Sequence, residues 1–264
     1  MHDLLSVVPY IPLLRRFSRI LTGSQLQGDT YVAVLLESIV ANPEPIKAAK
    51  DVRCTLYQHF CRLWASAPSN GLSTLNSTDG DKTLDRVQSS RTPLSREAYL
   101  LNVLEGFSEL QISQILGCDV TFARQLIDET ANAAIFQRSA KVLIIEDEPL
   151  IAMDLEDILN QLGHSSIGTA RTFDQAVKLA ASKQPELILS DIRLADGTSG
   201  TDAVEQILRF SDAPVVYITA FPELLLTGES AEPTYLISKP YVPEMVKAVI
   251  GQALQFMVKS SVAA

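Results

Sequence analysis

The feature that most constrains the fold lies after residue 140, where short apolar stretches alternate with amphipathic ones. Five stretches of strand length are separated by helical patterns: KVLIIE, SIGTA, ELILSD, APVVYITA and TYLISKP. Strands that alternate with helices form a parallel sheet covered on both faces. Residues 141–258 are therefore predicted to form an α/β doubly wound domain with a five-stranded parallel sheet. Ligands of such sheets bind beyond the carboxyl ends of the strands.

Charged and hydroxyl side chains stand at those predicted strand ends. Glu146 and Asp147 follow the first strand, Asp191 ends the third, Thr219 ends the fourth and Lys239 ends the fifth. Three carboxylates at one rim repel one another unless a hard divalent cation lies among them, and Mg2+ takes oxygen ligands of this kind. A carboxylate held beside such a cation and an ammonium can attack phosphorus as a nucleophile. Considered alone, the acidic pair could instead cap the following helix.

The identity and order of these five residues resemble the receiver domain of two-component response regulators across residues 141–258. The resemblance implies that Asp191 accepts a phosphoryl group from a histidine kinase, with Thr219 as the switch hydroxyl and Lys239 as the cation. It also implies a Mg2+ cofactor, held by Glu146, Asp147, Asp191 and the backbone carbonyl of Arg193. No separate catalytic domain is expected, so the chain is not expected to be an enzyme beyond this phosphoryl chemistry.

The chain departs from the receiver pattern at one position. Receivers usually carry a switch aromatic three residues before the lysine, whereas Leu236 has that place in this sequence. Tyr235 or Tyr241 would have to substitute for it. The usual coupling between a threonine and a tyrosine is therefore left open.

The patterns before residue 141 are helical. Residues 1–65 are predicted to form a helical domain with three helices: YIPLLRRFSRILTG, LQGDTYVAVLLESIVAN capped by Asp29 or Thr30, and PEPIKAAKDVRCTLYQHFCRLWA. Residues 66–92 are dense in Ser, Asn, Gly and Thr, and are predicted to be a flexible linker. Residues 93–138 are predicted to form a second helical domain, in which SQILGCDVTFARQLIDET has the outline of a helix-turn-helix. The expected architecture is multidomain, with an all-α first half in two subdomains.

The charge of the helical half argues against nucleic acid as its partner. A helix-turn-helix that reads DNA carries Lys and Arg on its second helix, but residues 107–137 contain Arg124 alone against four acidic side chains. The net charge of the whole chain is −9, whereas binding to a phosphate backbone needs several cationic contacts. Arg15, Arg16 and Arg19 form one modest basic face, which could contact nucleic acid or could be a solvated helix face.

The helical half resembles the extracytoplasmic-function (ECF) sigma factors. YIPLLRRFSRILTGSQLQGDTYVAVLLESI is similar to sigma region 2, and PLSREAYLLNVLEGFSELQISQILGCDVTFARQLIDE is similar to sigma region 4. A sigma-like half followed by a receiver resembles the PhyR family, the response regulators that mimic a sigma factor in the alphaproteobacterial general stress response.

This resemblance implies an anti-anti-sigma factor. Phosphorylation of Asp191 would open an intramolecular interface between the sigma-like half and the receiver. The sigma-like half would then sequester an anti-sigma factor of the NepR type and free an ECF sigma factor for stress transcription, without direct DNA binding. Two alternatives remain: a DNA-binding response regulator, and a phosphorylation-controlled sigma factor that contacts promoter DNA directly.

Cysteine spacing and hydropathy add two expectations. Cys54, Cys61 and Cys118 are odd in number and lack CxxC spacing, so reduced thiols are favoured over a disulfide or a zinc site. No uncharged apolar run approaches the ~20 residues of a membrane span. A cytoplasmic protein without membrane contact is therefore expected.

Overall fold

The computed structural model describes residues 2–66, 94–133, 139–194, 197–225 and 232–262, so the predicted linker over 66–92 lies, apart from Ser66, outside the described residues. The chain divides into two compact units. One comprises Met1–Leu21 and Leu26–Thr130, and the other comprises Thr22–Gln25 and Ala131–Ala264. We call the first the helical unit and the second the sheet unit. None of the described helices is long and apolar enough to cross a membrane.

Short and medium-length helices follow one another up to residue 133. A 3-10 helix covers His2–Tyr10, and the α-helices are α1 (Ile11–Thr22), α2 (Gln25–Ala41), α3 (Glu44–Lys47), α4 (Val52–Ser66), α5 (Leu94–Val103), α6 (Glu109–Leu116) and α7 (Val120–Ala133). The predicted all-α character of the first half is confirmed for residues 2–66 and 94–133.

Two details of the predicted helices are wrong. The helix α2 begins at Gln25, so Asp29 and Thr30 lie inside it and do not cap it. The single helix predicted over 43–65 is two helices, α3 and α4. The break arises because the Asp51 side chain accepts a hydrogen bond from the backbone N–H of Cys54 at 2.9 Å, which is how an N-cap residue starts a new helix.

Aromatic rings form the centre of the helical unit and join parts of the chain that are far apart in sequence. Phe17 on α1 makes edge-to-face contacts with Tyr57 and Phe60 on α4, with ring centroids 5.4 and 5.7 Å apart. Tyr57 also contacts Phe107, which follows α5, at 5.0 Å. All four side chains are buried. Edge-to-face packing of this kind adds to the stabilisation from burial alone.

The helices α1 and α2 cross at close range, and Gly28 makes that approach possible. A Cβ atom at Gly28 would lie 2.7 Å from the backbone nitrogen of Arg19 and 2.8 Å from the hydroxyl oxygen of Ser18. The Ser18 hydroxyl donates a hydrogen bond to the Gly28 carbonyl at 2.5 Å. Beside this contact, Arg15 and Arg19 both donate to the Asp29 carboxylate. The pKa of Asp29 is lowered, because hydrogen bonds from the two arginines outweigh the opposing effect of burial, which is the largest single influence.

Substitution of Gly28 by Ala is expected to destabilise the helical unit by about 1–3 kcal/mol, because overpacking forces backbone and side chains apart. The single tryptophan, Trp64, contacts Tyr31 in this unit with a centroid distance of 5.0 Å. Its fluorescence during urea unfolding therefore reports the free energy of unfolding of this unit. The control is Glu37→Ala at an exposed site of α2, expected to change that free energy by less than about 0.5 kcal/mol. Equal stability of the two variants would contradict the close-approach argument.

The predicted helix-turn-helix is present as α6 and α7. Ser108 caps α6 through a reciprocal pair of hydrogen bonds with Gln111, and Gly117 ends it with a left-handed φ of 69°. Asp119 then accepts a hydrogen bond from the Phe122 N–H at 2.9 Å and starts α7. The turn is therefore formed by Gly117, which ends α6, and Asp119, which caps α7.

The sheet unit contains the five parallel strands that the sequence predicts, and the structure places them in the order β2-β1-β3-β4-β5. The strands are β1 (Lys141–Ile145), β2 (Ser165–Ala170), β3 (Leu187–Ser190), β4 (Val215–Thr219) and β5 (Tyr235–Ser238). The helices are α8 (Pro149–Gln161), α9 (Phe173–Lys183), α10 (Gly200–Ile207) and α11 (Pro243–Val262). The described part of the β4–β5 connection holds only a 3-10 helix, Pro222–Leu225.

The central strands are buried almost throughout. All four residues of β3 are buried, and so are the last four residues of β1. Strands covered on both faces are expected to be continuously apolar, which explains the runs VLII and LIL. The polar residues that follow these runs are therefore held at the edge of a rigid core.

Candidate functional site

Three carboxylates meet at the carboxyl edge of the sheet. Glu146 and Asp147 follow β1 and Asp191 follows β3, and each of these side chains offers an oxygen within 4.8 Å of the others. The strand hydrogen bonding continues into this edge, because the Asp191 N–H donates to the Ile145 carbonyl at 2.8 Å. Adjacent parallel strands thus fix the spacing of the acidic groups. The set of hard oxygen donors is suited to a hard divalent cation.

Lys239 brings a positive charge to the same place. Its ammonium donates hydrogen bonds to Glu146 Oε2 at 2.8 Å and to Asp191 Oδ2 at 2.7 Å. Its backbone N–H donates to the Thr219 carbonyl at 2.8 Å, so the start of the loop after β5 is fixed to the end of β4. The peptide bond between Lys239 and Pro240 is cis.

Burial and ion pairing oppose each other at these groups. Burial raises the pKa of Glu146, and the hydrogen bond from Lys239 only partly offsets that effect. Burial works against the charged form of Lys239, but hydrogen bonds to Asp191 and Glu146 outweigh it and raise the pKa of the lysine. The lysine is therefore held as an ammonium beside Asp191.

Both carboxylate oxygens of Asp191 have defined partners. Oδ1 accepts hydrogen bonds from the Ile192 N–H at 2.5 Å and the Arg193 N–H at 3.4 Å, while Oδ2 faces Lys239. The neighbouring Ser190 hydroxyl donates to the Asp191 carbonyl at 2.8 Å. The side chain is 10% exposed, which leaves a narrow approach from solvent. The carboxylate is thus oriented before any reactant arrives.

The other predicted site residues have less direct roles in this geometry. Thr219 is fully buried, and its hydroxyl oxygen accepts a hydrogen bond from the Phe221 N–H at 3.2 Å. The Arg193 guanidinium lies over the Phe221 ring, 4.3 Å from its centroid. The structure thus connects these two positions through Phe221.

The aromatic side chains near Lys239 face different surroundings. Tyr235 is buried in β5, where it pairs with Val216 of β4. Tyr241 lies against α8, where burial and then a hydrogen bond to Asp154 raise its pKa. Tyr241, Asp154 and Lys239 line an open cavity of about 540 Å³. A switch role for either tyrosine stays a prediction.

Two residues near the site were missed by the sequence analysis. Arg171, directly after β2, donates from Nη2 to the Asp147 carbonyl at 2.9 Å and supports the loop that carries the acidic pair. Gly200 begins α10 so close to β3 that a Cβ atom would lie 1.8 Å from the Asp191 carbonyl oxygen. Arg171 could have been identified from the sequence, because it directly follows a predicted strand. Gly200 offered only its place in a turn-rich segment.

The receiver resemblance implies that Asp191 accepts a phosphoryl group. On that expectation, replacement of Lys239 by Ala should reduce phosphoryl transfer to Asp191 by roughly 100-fold or more, because a preorganised charge that meets a developing anion contributes about that much. Labelling by acetyl phosphate in the presence of Mg2+ measures the change. Lys247→Ala, on α11, removes the same charge away from the site and should label at the normal rate. A normal rate for the Lys239 variant would exclude this role for the ammonium.

Several arginines of the helical unit form ion pairs within the protein. Arg124, the one basic side chain of α7, donates to the Glu109 carboxylate of α6 from Nη2 at 2.7 Å and from Nε at 3.0 Å. Arg19 is buried, and it shares Asp29 with Arg15. The expectation of a basic face, whether for nucleic acid or for solvent, is therefore wrong for Arg19. Arginines that are already paired with carboxylates contribute little to phosphate binding.

The free cysteines agree with the sequence analysis. Cys54 and Cys61 are buried, Cys118 is partly exposed, and all three are unpaired thiols. Burial raises the pKa of Cys61 well above its usual range. These thiols are consistent with a packing role.

Comparisons with known proteins cover both units. Residues 7–61 match the Sigma2 domain of PhyR, residues 89–135 match the sigma-like domain of the response regulator PhyR, and residues 142–250 match the response regulator receiver domain. The phyllosphere-induced regulator PhyR of Methylorubrum extorquens is 49% identical over 95% of this chain and 93% of its own length.

Solved structures give the same relationship. The response regulator PhyR of Brucella abortus matches with 43% identity and a TM-score of 0.83, covering 97% of this chain and 96% of its own. The anti-anti-sigma factor PhyR of Bartonella quintana also matches with 43% identity and a TM-score of 0.83, covering 97% of both chains. With a sigma-like helical unit, a receiver-type sheet unit and relatives that match almost end to end, the chain belongs to the PhyR family of response regulators.

Proposed function

We propose that the chain is a two-component response regulator that acts as an anti-anti-sigma factor in the cytoplasm. In the resting protein, the receiver covers the partner-binding surface of the sigma-like region. Phosphorylation of Asp191 by a histidine kinase releases that surface, which then sequesters a NepR-type anti-sigma factor and frees an ECF sigma factor. The arrangement of Lys239 between Glu146 and Asp191 is the observation that carries the proposal.

The phosphoryl step uses groups already oriented at the sheet edge. An oxygen of Asp191 attacks phosphorus, the bond between phosphorus and the donor's histidine nitrogen breaks, and an acyl phosphate forms. Mg2+, bound by Glu146, Asp147, Asp191 and the carbonyl of Arg193, would supply charge neutralisation for the phosphoryl oxygens. Lys239 stabilises the same charge from the opposite side. The Thr219 hydroxyl, whose oxygen accepts from the Phe221 N–H, then donates its own hydrogen to the new phosphoryl group.

The output step is supported by the surface chemistry of the sigma-like region. The helix-turn-helix keeps its shape, but Arg124 is paired with Glu109, and residues 107–137 contain three further acidic side chains and no other basic one. A surface of this charge repels DNA and suits a protein partner. The Bartonella quintana PhyR has been solved in complex with the anti-sigma factor NepR, and its kinship with this chain supports the same partner class.

The switch obeys linkage. The partner-binding surface is covered in one state of the protein and free in the other. Changing the ratio of these states from 99:1 to 1:99 requires the free state to be stabilised relative to the covered state by ~5.5 kcal/mol. Phosphorylation need not provide all of it, because a partner that binds only the free form contributes the remainder. Reciprocity then requires the partner to increase the phosphorylated fraction.

The test measures the affinity of the full chain for a NepR-type anti-sigma factor, with and without acetyl phosphate and Mg2+. We expect phosphorylation to strengthen binding and promoter DNA to remain unbound at moderate salt. The matched control is Asp191→Asn, which should show no response to acetyl phosphate. Tight promoter binding without anti-sigma binding would replace the proposal with a DNA-binding regulator, and binding to core RNA polymerase would replace it with a true sigma factor.

A further inference from the structure

A buried carboxylate connects the two sequence segments of the helical unit. Within this unit, we call residues 2–21 and 26–66 the first segment and residues 94–130 the second segment. Glu105, in the turn after α5, has no exposed side-chain surface. Its Oε1 accepts a hydrogen bond from Arg16 of α1 at 3.0 Å, and its Oε2 accepts from Arg53 at 3.0 Å and from the Tyr57 hydroxyl at 2.7 Å, both on α4. These three partners of the carboxylate all belong to the first segment.

The same arginines also bind the backbone next to Glu105. Arg16 donates to the Leu104 carbonyl at 3.0 Å, and Arg53 donates to the Glu105 carbonyl at 2.5 Å. Carbonyls at the end of a helix lack partners within it, so these contacts satisfy groups that would otherwise need water. The Arg53 guanidinium also lies over the ring of Phe107, 4.4 Å from its centroid. The turn after α5 is therefore held by its side chains and by its backbone.

Burial makes this cluster depend on all its members. A buried ion pair costs much more to break than to keep, because removal of one partner leaves an uncompensated charge away from water. The pKa of Tyr57 is raised well above its usual range by burial and by the neighbouring Glu105 charge. The tyrosine hydroxyl therefore stays protonated and remains a donor to the carboxylate. The cluster holds one arrangement of the two segments.

Two other hydrogen bonds between the segments are exposed, and a weaker pair from the Cys54 thiol to Gln111 and Gln114 is partly buried. Gln58 donates to the Gln114 carbonyl at 2.7 Å, and Gln111 donates to the Asp51 carboxylate at 3.2 Å, both at the surface. Exposed hydrogen bonds exchange readily with water and add little net stability. The aromatic contact between Tyr57 and Phe107 is apolar and less directional. Glu105 thus combines full burial with three directional side-chain bonds across the segments.

We propose that Glu105 is a specificity-determining residue that fixes the second segment to the first, so that a protein partner meets one preformed surface made from both. This inference rests on the proposed function for the identity of the partner. A preformed surface avoids the ordering cost of assembling two mobile parts on binding. It also prevents the two segments from separating to contact two distant targets.

The first test measures the distance between the segments in the full chain without partner. Spin labels are placed at Val40 and Leu110, which are exposed on the first and second segments, in a chain that carries Cys118→Ser. The chain with Glu105 intact should give one narrow distance distribution. Glu105→Gln, which keeps the shape but removes the charge, should broaden it and add a longer population. An unchanged distribution would overturn the proposal.

Two comparison variants separate this effect from general loss of structure. Glu109→Gln removes another carboxylate of the second segment, but its ion pair with Arg124 is exposed and lies within that segment, so the distribution should stay narrow. Tyr57→Phe removes one hydroxyl from the cluster and should give an intermediate broadening if Glu105→Gln fails to fold. Broadening by Glu109→Gln equal to that of Glu105→Gln, or no broadening by Tyr57→Phe, counts against the cluster.

The second test uses the Bartonella quintana NepR as the partner probe with the phosphorylated full chain. If the fixed arrangement falls to a tenth of the population in Glu105→Gln, the apparent affinity falls roughly 10-fold. Acetyl-phosphate labelling of Asp191 should be unchanged, which shows that the receiver is intact. If the chain with Glu105 intact does not bind NepR, the proposed partner is wrong. The distance measurement would still decide the role of Glu105. Unchanged affinity despite a broadened distance would refute the preformed surface.

Discussion

Substitution of Asp191 by Asn is expected to abolish phosphoryl labelling from acetyl phosphate. An amide oxygen is a poor nucleophile towards phosphorus and cannot form the acyl phosphate, so the loss is complete. The fold is preserved, because the amide has the shape of the carboxylate and its oxygen still accepts the backbone hydrogen bonds from Ile192 and Arg193. Intact-mass spectrometry after incubation with acetyl phosphate and Mg2+ measures the phosphorylated fraction.

The matched control for this result is Asp202→Asn. Asp202 is an exposed acidic residue in the first turn of α10, so its substitution changes the net charge by the same amount in the same unit. It should label as the unsubstituted chain does. Full labelling of the Asp191 variant would show that the acceptor is a different residue.

Substitution of Gly200 by Ala should be the most damaging single-methyl change in the sheet unit. The added Cβ atom would lie 1.8 Å from the Asp191 carbonyl oxygen and 2.9 Å from the Ser190 hydroxyl oxygen. Both neighbours lie at the end of a buried strand, so the steric overlap can be removed only if α10 moves away from β3. We expect a loss of about 3 kcal/mol or more in the free energy of unfolding of this unit, at the upper end for overpacked sites. Phosphorylation of Asp191 should fall as well, because its backbone is displaced.

Two measurements check this result together. Hydrogen exchange of the β3 amides reports the local stability, and acetyl-phosphate labelling reports the acceptor. Glu205→Ala introduces alanine at an exposed position of the same helix and should leave both unchanged, since alanine is a strong helix former. Unchanged exchange rates in the Gly200 variant would mean that α10 can move away from β3 without loss of stability.

The sheet and the positions of the acidic residues were predictable because they follow from local patterns. Alternating strand and helix patterns determine a parallel sheet, and the carboxyl ends of its strands lie on one edge. That reasoning brings Glu146, Asp191 and Lys239 together, and the structure places them within hydrogen-bonding distance. The turn of the helix-turn-helix was likewise visible in Gly117.

What the sequence did not reveal depends on contacts between distant residues. Glu105 and Arg53 look like ordinary surface charges in a helical pattern, and only the packing of the two segments makes them a buried pair. Asp29 was predicted as a helix cap because Asp is common there, but two arginines on the preceding helix bind it instead. Neither of these ion pairs can be recognised from a local sequence pattern.

The position of β5 in the sheet has a mechanical consequence. In the order β2-β1-β3-β4-β5, this strand has a neighbour on one side only, yet it delivers the ammonium that reaches across to the carboxylates beside β1 and β3. An outer strand is displaced more easily than an inner one, and a hydrogen bond weakens steeply as its geometry departs from ideal. A shift of this strand by about one ångström should therefore weaken the hydrogen bond from Lys239 to Asp191. The electrostatic environment of Asp191 thus depends on the position of an edge strand.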